Sequence, residues 1–357
     1  MNNSQYKYIG LDVHQATTSI AVLDGNGTLL MDVTIATKAS ILLEFLSAVK
    51  GTLHVTFEEG TQAAWLYNLL SPRVENVVVR DPRYNALLKS GNKNDRIDAR
   101  KLADLLRTGL LKPVYHAPGS GRRLQELNRS YLTLVQDTTR VMNRLKAIFR
   151  SRGIGCSGRR VYATAGRALW FQQLREPGVR QRATLLYQQL DGLIILRREA
   201  RRALLAASRK HPAHRVLLSV PGLGPIRVAL LLARMQTPHR FRTKRNLWAY
   251  AGLGLVTRTS ADYRIGPGGL ERSRKPVAVR GLNPNHNHDL KEVFKSAALR
   301  ASRLPGPWRE FLTARVSQGM KPELARLTLA RKLAAITLTL WKKGELYDAQ
   351  KLSAQAA

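Results

Sequence analysis

The sequence holds one cysteine, Cys156, in 357 residues. A lone thiol excludes an internal disulfide and any zinc site built on cysteines. Long apolar runs are missing as well. No stretch of about 18 residues stays apolar, so no membrane-spanning helix is expected. The opening residues, Met1-Asn-Asn-Ser-Gln, lack the basic and apolar regions of a secretory leader, which makes a cytoplasmic location the expectation. Acidic residues are scarce: 24 Asp and Glu face 59 Lys and Arg, a net charge of +35. Apolar residues are not scarce. At 44% they suffice for two or three domains with real cores and argue against global disorder.

The shortage of acid is unevenly spread. Residues 1–100 carry 10 basic and 10 acidic side chains and are neutral, whereas residues 101–357 carry 49 and 14, the whole excess. Such a surplus repels itself unless a polyanion is present, and a nucleic-acid backbone supplies one. Nucleic-acid binding is therefore expected, over the blander alternative of a solvated basic face.

The first hundred residues alternate strand and helix signals. Tyr6–Val13 is an apolar run that includes Asp12, Thr17–Leu23 follows, and an Asp-Gly-Asn-Gly turn at 24–27 leads into Thr28–Ile35, a hairpin pattern. Helices are expected at Ile41–Val49, Thr61–Leu70 and 94–106, and strands at Leu53–Phe57 and Asn76–Arg80, the last broken by Asp81-Pro82. After a Pro/Gly-containing linker, Leu124, Leu127, Tyr131, Leu134, Thr138, Val141, Leu145 and Ile148 recur at alternating steps of three and four, the seam of a coiled coil. A second helical stretch, Ala183–Ser208, suggests an antiparallel hairpin or a dimerising pair. Val220-Pro-Gly-Leu-Gly-Pro225 ahead of an Ala/Leu-rich helix reads either as a helix-hairpin-helix phosphate contact or as an ordinary interhelical turn. A long helix is expected from Pro322 to Lys343, stopped at Gly344.

Four acidic positions stand out in the neutral segment. Asp12 and Glu58 close otherwise apolar strands, and Asp95 and Asp98, three apart, share a helical face that continues through Leu102, Leu105 and Leu106. Like charges on such a face repel unless a cation compensates, and all-oxygen sites suit Mg²⁺ or Mn²⁺. Two such ions would clamp a phosphodiester. The plainer explanation, acids favoured at a helix N-terminus, accounts for Asp95 alone. Glu59 stays an alternative to Glu58.

Tyr8-Ile-Gly-Leu-Asp12, Phe57-Glu58-Glu-Gly60 and Asn92-Lys-Asn-Asp95-Arg-Ile-Asp98-Ala-Arg100 resemble the motifs of the DEDD insertion-sequence transposases, the insertion-sequence one-ten family. The stretch from Ala249 through Ser260 to Tyr263 resembles that family's C-terminal domain, in which an aromatic- and Gly-rich segment leads to a serine. By chemistry alone a serine in a basic loop is a turn or phosphate-contact residue. The resemblance implies that Ser260 is a nucleophile, with Thr259 the neighbour to exclude. It further implies catalytic metal ligation by Asp12, Glu58, Asp95 and Asp98, and strand exchange through a phosphoserine link. A structured guide (bridge) RNA would pair with donor and target double-stranded DNA, in a homo-oligomer (dimer or tetramer) whose two sites meet across protomers. His286 and His288 are expected to be polar loop residues rather than metal ligands.

The expected fold is α/β plus α. A ribonuclease-H-like (RuvC-like) metal-binding domain would span 1–115, a helical coiled-coil segment 116–212, a mainly helical transposase domain with the catalytic serine 213–345, and a tail 346–357. The expected setting is bacterial cytoplasm, nucleoid-associated when acting. The rivals are a resolvase-like Mg²⁺-dependent DNA endonuclease with no covalent intermediate, and a non-catalytic RNA- or DNA-binding protein.

Overall fold

The computed structural model describes residues 5–83, 94–116, 122–260, 263–266, 269–272 and 277–349; at most positions from 257 to 280 the description covers the backbone alone. The chain divides into two compact units, residues 1–120 and 121–357.

In the first unit, strands β1 (Tyr6–Val13), β2 (Thr17–Asp24) and β3 (Leu29–Ala36) are followed by α1 (Ala39–Ala48), β4 (Thr52–Glu58), α2 (Ala63–Leu70), β5 (Asn76–Arg80) and α3 (Asp95–Arg107). The sheet order is β3-β2-β1-β4-β5. The first three strands form an antiparallel meander, while β1, β4 and β5 run parallel. The β2–β3 turn follows from Asp24, whose Oδ1 accepts from the backbone N–H groups of Asn26 and Thr28 at 2.9 and 2.8 Å.

Strand alternation divides the apolar residues between the two faces. Ile9, Leu11, Val55 and Phe57 share a core with Leu42 and Leu46 of α1 and Leu66 and Leu70 of α2. Gly10 alternates with them and meets α3 instead. A Cβ on Gly10 would lie 2.0 Å from the carbonyl oxygen of Ala99 and 2.6 Å from the amide nitrogen of Ala103. Ala99 and Ala103 are themselves buried and small, so the helix backbone lies directly on the strand.

The second unit is mostly helical. It contains α4 (Arg122–Arg150), α5 (Arg167–Gln172), α6 (Pro177–Arg209), α7 (His214–Ser219), α8 (Pro225–Met235) and α9 (Lys244–Tyr250). Four short strands follow, β6 (Leu255–Ser260), β7 (Tyr263–Gly266), β8 (Gly269–Arg272) and β9 (Val277–Leu282), then α10 (His288–Ala301), α11 (Pro307–Ser317) and α12 (Pro322–Lys343).

The heptad stripe of α4 packs inside the chain. Val141, Leu145 and Ile148 share a core with Ala183, Tyr187 and Leu190 near the start of α6, whereas Leu124 shares one with Leu204 near its end. The two helices therefore form an antiparallel hairpin, the first of the two arrangements the pattern allowed. Tyr187 donates its hydroxyl to the Val161 carbonyl at 2.8 Å, and burial pushes its phenol up to about 12. The Leu124–Leu204 end of the hairpin joins the main core of this unit with residues of α8, α10 and α12, among them Val228, Phe294 and Leu333.

The backbone contact at Gly10 yields a direct expectation. Gly10→Ala has no flexible neighbour to displace, so α3 must move away from β1, at a cost of ~1–3 kcal/mol or more. Hydrogen-exchange mass spectrometry should show faster exchange across α3 with α10 and α12 unchanged. Wild-type protection of α3 in that variant would mean that the close approach is dispensable.

Candidate metal centre

The parallel strands end in charges. Leu11 pairs with Phe57, so Asp12 and Glu58 are the next residues of their strands, and Glu58 pairs with Arg80 of β5. Asp12 and Glu58 alternate with Leu11 and Phe57, which places both on the α3 side of the sheet. Asn94 caps α3, its Oδ1 accepting from the Arg96 amide at 3.2 Å, and this starts the helix where Asp95 and Asp98 fill its first turn.

The four predicted carboxylates converge. Burial raises the Asp12 pKa above the ordinary carboxylate value, and the negative charges of Asp95, Asp98 and Glu58 raise it further, while nearby His14 lowers it. At ~4 Å and the effective dielectric of a protein surface, a like-charged pair repels by ~4 kcal/mol, less where water screens it. Screening is substantial at Asp95, whose side chain is 59% exposed. Asp95 thus does not lie along the buried stripe of α3, as the spacing suggested; it stands at the helix mouth. Asp98 is half-buried, and its Oδ1 is shielded from solvent with no hydrogen-bond partner.

Glu58 and Glu59 part company. Glu58 bonds to the guanidinium of Arg80, a side chain only 2% exposed. Glu59 accepts from His116 Nε2 at 2.6 Å, and that imidazole stacks on Tyr67. Glu58, not Glu59, is the neighbour felt by Asp12.

Two further residues border the cluster. His14 lies with its Nε2 3.4 Å from Asp12 Oδ2 and 3.5 Å from Asp95 Oδ2, and the three donor atoms lie within 4.8 Å of one another. Arg80 carried the signal that singled out Asp12 and Glu58, a charge closing an apolar strand. The site fits a divalent cation on its own chemistry. Hard oxygen donors converge, one of them buried without a partner, and mutual repulsion raises a carboxylate pKa that a cation would lower.

The C-terminal motifs lie in the second unit. Ser260 is the last residue of β6 and pairs with Val277 of β9, but its side chain and that of Thr259 lie outside the described residues, as do the side chains of Arg258, Arg264 and Arg272 and the whole of Arg274 and Lys275, the basic residues that surround Ser260 in sequence and could hold a scissile phosphate. The segment before it is firmly held: Arg331 donates from Nε to the Leu253 carbonyl at 2.6 Å, and Trp248 donates from Nε1 to the Arg331 carbonyl at 2.9 Å. His286 packs its ring against Gly252, which has a φ of 63°, and His288 begins α10. In the Val220–Pro225 hairpin, Gly222 has a φ of 84°, and a Cβ there would lie 2.3 Å from the Ala297 carbonyl oxygen. Arg227 clasps that turn, donating to the Gly222 carbonyl at 3.1 Å and to Ser296 Oγ at 2.8 Å. Packing against α10 thus accounts for this glycine without a ligand.

Two family models match the chain. A transposase model of the DEDD, IS110 type covers residues 9–152, and the model described as Transposase IS116/IS110/IS902 family covers residues 214–312. The chain is a DNA transposase. No curated protein matches it. The first match spans the whole carboxylate cluster of the transposase and the second spans Ser260. DEDD transposases typically use a divalent metal, and a carboxylate/histidine cluster is present here. No helix among the described residues is long and apolar enough to cross a membrane.

Asp98→Asn removes one charge from a self-repelling cluster at constant volume. Without metal, the variant should melt at or slightly above the wild-type temperature. Wild-type protein saturated with Mn²⁺ to ~100 times its Kd should gain ~2.7 kcal/mol, and the variant should gain far less and lose recombination. An equal Mn²⁺-induced shift in both proteins would remove Asp98 from the ligand set.

Proposed function

We propose that this transposase exchanges DNA strands by a two-part centre: a Mg²⁺ or Mn²⁺ site made by Asp12, Glu58, Asp95 and Asp98, and a serine nucleophile, Ser260. The convergence of four carboxylates from β1, β4 and the first turn of α3 supports the reading most directly. The β3-β2-β1-β4-β5 order, an antiparallel meander continued by two parallel strands, supports a ribonuclease-H-like (RuvC-like) fold for residues 1–115. The boundaries 116–212 and 213–345 for the helical segment and the serine domain belong to the same proposal, as do the 346–357 tail and the bacterial, nucleoid-associated setting.

The cation would supply charge neutralisation for a scissile phosphate at the open ends of β1 and β4. Asp12, Glu58, Asp95 and Asp98 would hold it, and Arg80 fixes Glu58 from the buried side. Ser260 Oγ attacks phosphorus. An O–P bond forms as the bond to the neighbouring sugar oxygen breaks, and the serine proton passes through solvent to that oxygen. A sugar hydroxyl of the second strand then attacks the phosphoserine, restoring the serine and completing exchange. The basic surplus of residues 101–357 holds donor and target double-stranded DNA together with a structured guide (bridge) RNA. The active form is a homo-oligomer, dimer or tetramer, in which serine and carboxylates come from different protomers.

Ser260→Ala should keep DNA and RNA binding, because one hydroxyl adds little to a contact made of many phosphates. It should lose the covalent protein–DNA adduct on a denaturing gel, together with all strand exchange. An adduct retained in Ser260→Ala and lost in Thr259→Ala moves the nucleophile by one residue. Cleavage by the wild type without any adduct favours the resolvase-like endonuclease instead.

Guide recognition has its own test. One structured RNA should copurify with the expressed protein and bind with an affinity that falls steeply with salt. Equal affinity for unrelated RNAs of matched length would reject a guide while leaving nucleic-acid binding in place.

A further inference from the structure

We infer that His14 is a nitrogen ligand of the cation site, which makes the centre a mixed imidazole–carboxylate site with a bias toward Mn²⁺. The inference rests on the metal-site reading above and adds a residue that the DEDD motif does not contain. His14 Nε2 stands 3.4 Å from Asp12 Oδ2 and 3.5 Å from Asp95 Oδ2. Donors that each sit ~2.1 Å from one ion lie ~3–3.5 Å apart at octahedral to tetrahedral angles, so this spacing needs little adjustment to close on a cation.

The backbone that carries His14 is fixed from both sides. The His14 amide donates to the Thr17 carbonyl at 2.9 Å, Thr37 Oγ1 donates to the His14 carbonyl at 2.9 Å, and the Thr37 amide donates to the Ala16 carbonyl at 2.9 Å. The turn between β1 and β2 is therefore tied to the end of β3, and the imidazole needs only its own side-chain torsions to reach the ion. Among the described residues, His14 is the basic side chain in ion-pair reach of both Asp12 and Asp95. The competing role is that of a counter-charge, an imidazolium that neutralises the two aspartates and leaves when a cation arrives. Coordination differs from it in one respect: a bound ion keeps the nitrogen.

Ligand chemistry gives the consequence. Mg²⁺ prefers oxygen donors and retains its waters, whereas imidazole favours later first-row ions over Mg²⁺. Removing His14 should therefore weaken Mn²⁺ binding by at least ~10-fold and Mg²⁺ binding by less.

The test uses the full-length protein loaded with one equivalent of Mn²⁺, read by pulsed electron paramagnetic resonance. Wild type should show ¹⁴N modulation from a coordinated imidazole, converted to a ¹⁵N pattern by ¹⁵N-histidine labelling and absent in His14→Ala. Bound Mn²⁺ with an oxygen-only spectrum overturns the inference, as does nitrogen modulation that survives in His14→Ala. The underlying metal-site reading fails differently: Mn²⁺ would then bind wild type no better than Asp98→Asn. Ion binding that depends on Asp98 but shows no nitrogen rejects His14 alone.

Discussion

The contact between Gly10 and the Ala99–Ala103 turn of α3 sets the geometry of the whole N-terminal unit. Two of the four carboxylates ride on α3, and the other two end strands of the sheet beneath it. Their separation is therefore the distance between a helix axis and a sheet. Any side chain on Gly10 would push Asp95 and Asp98 away from Asp12 and Glu58. The absence of a single Cβ, matched by two alanines on the helix, brings four acids from distant parts of the chain within electrostatic reach of one another.

That proximity opposes stability. Burial and mutual repulsion both disfavour the ionised cluster, and the fold offsets them only in part. Glu58 is held by a buried guanidinium, Asp95 retains much of its hydration at the helix mouth, and the positive end of the α3 dipole faces the acids of its first turn. Asp98 Oδ1 has no such relief. The strain is concentrated in the neutral part of the chain, while the net charge of +35 resides in the rest.

Local patterning made most of this unit legible. Alternation within strands and the Asp24 turn mark β1 to β5 closely, and acids closing apolar strands mark Asp12 and Glu58. The exposure of Asp95 is not legible in the sequence, because helical spacing gives a face but not how far a first turn projects beyond the sheet it covers. Arg80 meets the same criterion as the acids, a charge closing an apolar strand. His14 lies outside any periodic element, so only the fold of the β1–β2 turn reveals its neighbours. In the second unit the long helices are legible in the periodicity, whereas β6 to β9 are not. Short strands of four to six residues depend on cross-strand partners that lie elsewhere in the sequence.

The Arg80–Glu58 pair also alters the charge balance available to incoming ions. The guanidinium, on the same sheet face as Glu58, offsets one of the four carboxylates. One divalent cation among Asp12, Glu58, Asp95 and Asp98 would leave the pocket anionic; a second, with Arg80 counted, would make it cationic. Occupancy by two ions is then electrostatically complete only when a phosphodiester adds its own negative charge. In the proposed site, the buried arginine would thereby tie the second ion's affinity to the presence of a DNA strand.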